Sequence, residues 1–394
     1  TKIPGEPKIG GELGFTITNK SFEMLCKKCN SEGTLVIRKV FFFCDACFIA
    51  NIIHKFRACI GKNTKFSNDN KSLICLSGDI SSSVLLDLVM NGITLNTHKK
   101  LRISPVFLHV NGRFWIVSTD DSVCNLIMNQ CKKYNVDLIS MNISSMITEY
   151  KNYNEADTTV KSNNFRMPTI NNFVNKISPS AEKDFLSRIR QKVFYKMAKD
   201  LECNSIFTSE TNTKLSAKLL SNIVMGRGSQ IENDIGFADC RDKDVKLFRP
   251  MRDITDEELN HYARIRHLSS VDKSVSEINL QSLISNFISD LEINSPATIS
   301  TICKTADKIS SADDNTGKPC QICQNNLKTK LDKLTATDAT AFSKVVSSGE
   351  YNASLLTLDF ESVTKMEVFP HIFEELCYSC SKNYYEFKTN IAKH

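Results

Sequence analysis

The chain has 394 residues, 41% of them hydrophobic and 24% charged, and a formal net charge of +6. This length and composition indicate a globular protein of about two domains. The low counts of 14 Gly and 9 Pro exclude collagen-like and low-complexity architectures. No apolar run approaches the roughly 20 residues of a membrane-spanning helix, and the first residues show no apolar signal-peptide core. We therefore expect a cytoplasmic protein with no membrane partner, whose mild basic excess is compatible with an anionic partner.

The first segment, to about residue 60, has the pattern of a zinc ribbon. A β-rich run at Thr34–Phe43 lies between the pairs Cys26-x-x-Cys29 and Cys44-x-x-Cys47. Apolar residues at spacings of three and four then predict a helix over Phe48–Arg57.

From residue 71 the sequence alternates between strand and helix patterns, which is typical of an α/β protein with a parallel sheet. A short apolar run predicts a strand at 72–76 that is buried on both faces, and further strands are predicted at 105–110 and 136–141. The loop Ser77–Ser83 follows the first strand and leads into a helix with a serine as its N-cap.

Residues 144–180 are polar, and we expect a flexible insertion there. An amphipathic helix over Phe185–Leu201 precedes a predicted strand at Ser205–Thr208, and the next helix ends at Gly226-Arg227-Gly228. A capping box at Thr255–Glu258 then begins another helix.

After about residue 270 the alternation fades, and a helical stretch leads to a second group of cysteines. The sequence thus predicts three domains. Residues 1–60 form the N-terminal zinc ribbon and its following helix, 61–270 form the α/β domain, and 271–394 form a helical segment with a C-terminal zinc-binding module.

Eight of the fifteen cysteines form four Cys-x-x-Cys pairs, and the other seven occur singly. An odd number in a long chain is not typical of a secreted disulfide framework, so we expect the single cysteines to be mostly small core residues. Each pair supplies two thiolates from one turn, and zinc takes four in a tetrahedron. We predict two structural zinc ions, one held by Cys26, Cys29, Cys44 and Cys47, the other by Cys320, Cys323, Cys377 and Cys380. An iron–sulfur cluster, a redox pair and unliganded thiols are the alternatives.

The loop Ser77–Ser82 stands where a phosphate loop is expected, between a buried strand and a capped helix. Backbone N–H groups and the helix dipole bind anions at such a position. One glycine among serines is a weak nucleotide-binding signal, and an ordinary capped turn is the alternative.

Two groups of basic residues are candidates for contact with RNA phosphates. Lys55 and Arg57 follow the ribbon, and Arg227, Arg249 and Arg252 lie on two predicted loops. Phosphate contacts need cations on exposed loops, and the loops after parallel strands gather at one edge of a sheet. Scattered surface charges or internal ion pairs explain the same residues equally well.

Several segments together resemble the cytoplasmic tRNA 2-thiolation protein 2 family. They are Phe43-Cys44-x-x-Cys47-Phe48, Lys55-Phe56-Arg57, Ser77-Gly78, Phe248–Asp253, Ser295–Thr301 with Thr305-x-x-Lys308, and Leu376–Cys380. The resemblance runs over nearly the whole chain. It implies an α/β fold of the PP-loop ATPase-like type (adenine-nucleotide α-hydrolase type), with a parallel sheet and zinc-binding modules at the N-terminal and C-terminal ends.

The loop departs from the active PP-loop pattern Ser-Gly-Gly-x-Asp-Ser. Asp79 stands at the second Gly and Ser81 at the Asp, so a side chain and a negative charge oppose an approaching phosphate. Ser77, Gly78, Asp79, Ser81 and Ser82 therefore form a degenerate nucleotide loop, which argues against ATP binding by this chain. The resemblance then implies a pseudoenzyme with no catalytic residues of its own.

The resemblance also implies the partners. They are the catalytic subunit, cytoplasmic tRNA 2-thiolation protein 1, with which this chain would form a heterodimer, tRNA, which it would help to hold, and a ubiquitin-like sulfur carrier. The product of the complex would be tRNA thiolated at the wobble uridine. Two other functions stay open, an active ATP-dependent thiolase or ligase working alone and a zinc-ribbon scaffold with no tRNA role.

Overall fold

The structure, a computed structural model, describes part of the chain. The described residues are 25–37, 39–63, 70–97, 100–111, 121–142, 178–228, 231–271, 278–308, 318–325, 327 and 376–383. The chain divides into two compact units, residues 1–50 and 51–394. This division differs from the three segments that the sequence predicts.

The first unit contains a β-hairpin between two cysteine pairs, as the β-rich run predicts. β1 (Leu35–Ile37) pairs antiparallel with β2 (Phe41–Phe43). α1 (Asp45–Asn63) begins one residue after Cys44, the first cysteine of the second pair. The division between the two units falls within this helix. Asp45 Oδ1 accepts a hydrogen bond from Thr34 Oγ1 at 2.6 Å, which ties the first turn of α1 to the hairpin. A carboxylate in that turn also interacts favourably with the helix dipole.

The second unit alternates strands and helices along the chain. After α1 its elements are β3 (Lys71–Leu76), α2 (Ile80–Ile93), β4 (Ser104–Asn111), α3 (Asp121–Lys133), β5 (Leu138–Asn142), α4 (Pro179–Asp200), β6 (Ser205–Phe207), α5 (Asn212–Val224), α6 (Ile231–Ile235), β7 (Ala238–Asp239), β8 (Lys246–Phe248), α7 (Asp256–Ile265), α8 (Leu280–Asn294) and α9 (Pro296–Lys308).

Six of these strands form one sheet in the order β5-β4-β3-β6-β8-β7. All neighbours are parallel except β7, which pairs antiparallel with β8 at the edge. The chain builds β3, β4 and β5 outward on one side and then returns to place β6 and β8 on the other. In such sheets the crevice for a ligand lies at the carboxyl ends of the strands, where the order reverses. Here that point is between β3 and β6.

One face of the sheet packs against α4. Leu73 of β3, Leu108 of β4 and Ile206 of β6 are fully buried in one cluster with Val193 and Ala198 of α4. The strands are apolar without alternation because both faces of a central parallel strand are covered. The predicted strands and the long amphipathic helix are thereby confirmed.

The single cysteines are mostly core residues, as expected. Five are buried: Cys59, Cys75, Cys131, Cys203 and Cys303. Burial raises the pKa of Cys59 to about 12 and that of Cys131 to about 11, so both thiols stay protonated and unreactive.

Packing continues across residue 270. α8 and α9 pack against each other and against α5, with Ile288 and Ile299 fully buried. The helical segment therefore shares a core with the α/β part of the second unit. The sequence shows a loss of strand pattern at residue 270, but it does not show which surface these helices cover.

The predicted flexible insertion at 144–180 lies outside the described residues except for its last three. Those three begin a helix instead, because Ser178 Oγ accepts a hydrogen bond from Ala181 N at 3.4 Å and Pro179 occupies the first helical position. Among the described residues, no helix is long and apolar enough to cross a membrane.

Candidate functional site

The degenerate loop lies at the point where the strand order reverses. Gly78 has a φ of +82°, a conformation that favours glycine, and a Cβ there would collide with Val123 of α3. α2 then begins at Ile80 with Asp79 as its N-cap, so the expected serine cap is wrong. Aspartate and serine cap helices equally well, and the local sequence does not choose between them.

The Asp79 carboxylate accepts four hydrogen bonds around this turn. Its Oδ1 accepts from Ser82 N at 3.0 Å and from the hydroxyls of Ser77 at 2.7 Å and Ser81 at 2.9 Å. Its Oδ2 accepts from Lys214 Nζ, in the first turn of α5, at 2.6 Å. Burial disfavours the charged form, but Lys214 and these hydrogen bonds outweigh it and hold the pKa of Asp79 well below its ordinary value.

These donors are the ones that bind phosphate elsewhere. A backbone N–H at a helix N-terminus and a lysine ammonium form a ready anion site. A second backbone N–H of the loop, that of Gly78, donates to Ser82 Oγ at 3.0 Å. The anion site at the start of α2 is therefore filled by the chain's own carboxylate.

A cavity of about 260 Å³ opens beside this loop at the carboxyl ends of the strands. Leu76, Ser77 and Val110 line one side of it, and Thr208 lies at the end of β6. Arg190 of α4 also faces it and is exposed. The sequence patterns did not lead us to predict Thr208 and Arg190 at a cavity, although polar residues directly after the strand at 205–208 are a signal for such a site.

Glu210 joins two cations at the cavity. It accepts from Lys218 Nζ and from Arg249 Nε, each at 2.7 Å. Burial disfavours its charge, but these two cations outweigh it and lower the pKa of Glu210 to about 2. Arg249 is 1% exposed and also donates to the carbonyl oxygens of Gly236 and Asn233.

Arg227 is likewise buried, at 2% exposed, and its Nη2 lies 2.5 Å from Asp184 Oδ2. The expectation that Arg227 and Arg249 present exposed cations is therefore wrong. Each guanidinium instead binds an acidic side chain of its own chain, because a buried charge needs a partner.

The other three basic candidates are partly accessible. Lys55 Nζ lies 2.5 Å from Glu258 Oε2, and Arg252 Nη2 lies 2.7 Å from Asp307 Oδ1. Arg57 is half-buried. Their contact with RNA stays a prediction from the sequence.

The N-terminal cysteines converge as predicted. The Sγ atoms of Cys26, Cys29, Cys44 and Cys47 lie within 4.8 Å of one another. Cys29 and Cys44 are 3.5 Å apart at sulfur. Four bonds of about 2.3 Å to a tetrahedral zinc would set sulfurs roughly 3.8 Å apart, so the donor set fits. A hydrogen bond of 2.9 Å with Ser31 lowers the pKa of Cys29, which favours its ligating thiolate form.

The C-terminal cysteines converge as well, across more than fifty residues of sequence. The Sγ atoms of Cys320, Cys323, Cys377 and Cys380 lie within 4.8 Å of one another, and Cys323 and Cys377 are 3.5 Å apart at sulfur. Cys377 N donates to Cys320 Sγ at 3.3 Å. Three of the four are buried, so this centre is more closed than the first. Four soft thiols in such a group suit zinc or an iron–sulfur cluster.

Comparison with known proteins agrees with the sequence resemblance. A family model described as cytoplasmic tRNA 2-thiolation protein 2 matches residues 279–382. A protein of that name from Danio rerio is 28% identical over 381 residues, covering 82% of this chain and 76% of the relative. Another from Aedes aegypti is 30% identical over 301 residues, covering 72% of this chain and 65% of the relative. Over most of its length the chain is thus similar to the cytoplasmic tRNA 2-thiolation protein 2 family.

The fold has a solved counterpart. The U34-tRNA thiolase NcsA from Methanococcus maripaludis, solved with its 4Fe-4S cluster, is 18% identical to this chain, with a TM-score of 0.58. The match covers 77% of this chain and 93% of the thiolase. The expected PP-loop-like α/β fold, with a mostly parallel sheet and a cysteine centre toward each end, is confirmed.

The pairing of Glu210 with Arg249 gives a prediction for stability against pH. The pKa of Glu210 is lowered from 4.5 to about 2 in the folded protein. Its contribution is therefore fully present above the unfolded pKa and is lost as the pH falls through the folded one. We expect Glu210→Gln to lower the free energy of unfolding at about pH 6 and to have a smaller effect at about pH 3.

Urea unfolding at the two pH values measures this. Glu232→Gln, on an exposed residue of α6, is the matched control and should change stability little at either pH. Equal losses at both pH values for Glu210→Gln would contradict the ion-pair role.

Proposed function

We propose that this chain is a non-catalytic subunit of a cytoplasmic complex that thiolates the wobble uridine of tRNA. In this proposal it pairs with the catalytic cytoplasmic tRNA 2-thiolation protein 1, helps to hold tRNA, and leaves sulfur transfer from a ubiquitin-like carrier to its partner. Similarity to the family and the PP-loop-like fold support a role in tRNA thiolation. The name shared by the relatives supports the cytoplasmic location.

The single observation that carries the non-catalytic role is the Asp79 carboxylate at the start of α2. A phosphate arriving there would have to displace a carboxylate that Lys214 already neutralises. The negative charge of Asp79 would also repel the phosphate at contact distance, where the repulsion between two anions is strongest. The loop therefore lacks free donors for a triphosphate, and the ATP-dependent step belongs to the partner.

The first prediction from this proposal concerns activity. The purified chain should release no pyrophosphate from ATP in the presence of tRNA, while thiolation reconstituted with the partner should need both chains. Pyrophosphate release and thiolated tRNA are measured with each subunit omitted in turn. Robust turnover by this chain alone would show that it is an active enzyme, and full thiolation by the partner alone would show that it is dispensable.

The second prediction concerns the loop. Asp79→Gly combined with Ser81→Asp recreates the pattern Ser-Gly-Gly-Ile-Asp-Ser without changing the net charge of the chain. Removing the Asp79 carboxylate frees Ser82 N at the start of α2, so we expect this double variant to bind pyrophosphate or ATP in calorimetry where the wild type does not.

The control is Asp244→Gly, which removes an exposed carboxylate from a loop and should leave binding absent. Tight ATP binding by the wild type would contradict the blocked loop. A double variant that is folded but gains no binding would show that Asp79 is not what closes the site.

We further propose that each cysteine centre holds a structural zinc ion. The four thiols, their mutual distances and the N–H donated to Cys320 Sγ support a tetrahedral thiolate site. When bound, zinc would supply no chemistry beyond crosslinking segments that are distant in sequence, and the cysteines would hold it as thiolates.

Elemental analysis of the purified chain should find two zinc ions per molecule. A chelator should lower its thermal stability, since metal binding and folding are coupled at such sites. Cys29→Ser and Cys380→Ser should each remove about one ion. Stoichiometric iron, or no metal, would contradict zinc at these centres.

A further inference from the structure

The side chain of Arg227 contacts the C-terminal cysteine centre, and the proposed role in thiolation does not explain this contact. Its Nη1 and Nη2 each lie 3.5 Å from Cys380 Sγ, at hydrogen-bond distance to sulfur. The residue follows α5 and is buried. A guanidinium has donors in a fixed fork, so two N–H groups can reach one thiolate together.

The same guanidinium also binds a carboxylate, because Arg227 Nη2 contacts both Cys380 Sγ and Asp184. Asp184 Oδ2, on α4, accepts from Arg227 Nη2 at 2.5 Å and from Asn383 Nδ2 at 2.8 Å. Asn383 lies three residues after Cys380. One carboxylate oxygen therefore fixes both the arginine and the segment that carries the last cysteine.

The backbone beside Arg227 also packs on the centre. Gly226 has a φ of +79°, and a Cβ built there would lie 2.8 Å from the ring of Tyr378. Tyr378 stands between Cys377 and Cys380 in the last cysteine pair. Glycine at position 226 thus permits the close approach that brings Arg227 to the sulfur.

The contact between Arg227 and Cys380 would also offset the negative charge of a metal–thiolate group. A divalent metal with four thiolates carries a net charge of about −2, and its burial is costly without nearby positive charge. Arg227 brings one positive charge to Cys380. Lys192 of α4 brings a second positive charge to the Cys320–Cys323 pair, because its Nζ donates to the carbonyl oxygen of Gln321.

We propose that Arg227 is a positioning residue for the metal of the C-terminal centre. It orients the Cys380 thiolate through two N–H···S hydrogen bonds and offsets part of the charge of the metal–thiolate group. This inference rests on the proposed metal site. It assigns Arg227 to the metal centre rather than to RNA.

The test compares metal release from the two centres of one molecule. Arg227→Gln combined with Asp184→Asn removes both charges of the buried pair, and Arg188, the other cation beside Asp184, keeps its two hydrogen bonds to Asp234. Loss of a residue that orients a metal ligand costs typically tenfold to a hundredfold in metal affinity. We expect one of the two zinc ions to be released to a chromogenic chelator at least about tenfold faster. The ion at the N-terminal centre, whose Cys29 shares a hydrogen bond with Ser31, should be released at the wild-type rate.

Matched variants separate this effect from general destabilisation. Arg266→Gln with Asp87→Asn removes another arginine–aspartate pair, of 2.9 Å, that has no cysteine in it, and should leave both release rates unchanged. Cys29→Ser and Cys380→Ser identify which kinetic phase belongs to which centre.

Cobalt substitution supplies a readout that folding alone does not move. Hydrogen bonds and positive charge stabilise the sulfur lone pairs, so their loss should shift the sulfur-to-cobalt charge-transfer band of one centre to lower energy. Arg227→Lys keeps the charge and loses the fork, which makes it the variant to use if the double variant fails to fold, and it should shift the same band less.

Unchanged zinc release together with an unchanged cobalt spectrum would overturn the role of Arg227. Faster release from both centres alike would also overturn it, because the effect would then be global. A wild-type chain with no metal at the C-terminal centre would remove the proposed site itself, and this inference with it. The two failures are distinguishable because the metal content of the wild type is measured first.

Discussion

An unbroken line of buried charges with alternating sign holds the second unit together. Its members, in order of contact, are Arg227, Asp184, Arg188, Asp234, Arg241 and Asp239. Arg188 donates to both oxygens of Asp234 at 3.0 Å, a bidentate pair that fixes α4 against α6. Removing Arg227 alone would leave Asp184 with Arg188, at 3.7 Å, as its remaining guanidinium, and breaking a buried ion pair by removing one partner typically costs about 3–5 kcal/mol. The positions of α4, α6 and the edge of the sheet therefore depend on one another.

The same line reaches the C-terminal centre from two directions. Arg227 ends it at Cys380, and Arg241 donates to the carbonyl oxygen of Cys323 and to Asn325. Cysteine pairs that are more than fifty residues apart in sequence are thereby placed against elements with a fixed mutual position. A thiolate group with its metal would extend the alternation by one more negative member, beside Arg227. The three arginines and three aspartates of the line cancel in charge, so the line adds nothing to the net charge of the chain.

Local patterns in the sequence predict β3, β4, α4 and the capping box at Thr255, because each depends on neighbours within a few residues. The cysteine centres are predictable for a related reason: ligand spacing and sulfur chemistry are visible in the sequence. β7 and β8 have two and three residues, too few for any period to show. The partners of Arg227 and Lys214 could not be predicted, since an arginine that will be buried has the same sequence signature as an exposed one. Their carboxylates lie 43 and 135 residues away.

In the proposed non-catalytic role, Asp79 would make the loss of a ligand site and a gain in stability one event. An anion site at a helix N-terminus with a lysine beside it is costly when it is empty, because the ammonium and the N–H groups then depend on solvent. A carboxylate satisfies the same donors with a single charge and no diffusing ligand. It also caps α2, which a glycine at that position does less well. Sites built for binding are often destabilising in this way, and a subunit with the proposed non-catalytic role would lose nothing by filling one. The loop of this protein retains the geometry of its fold while an internal side chain takes the place of the phosphate.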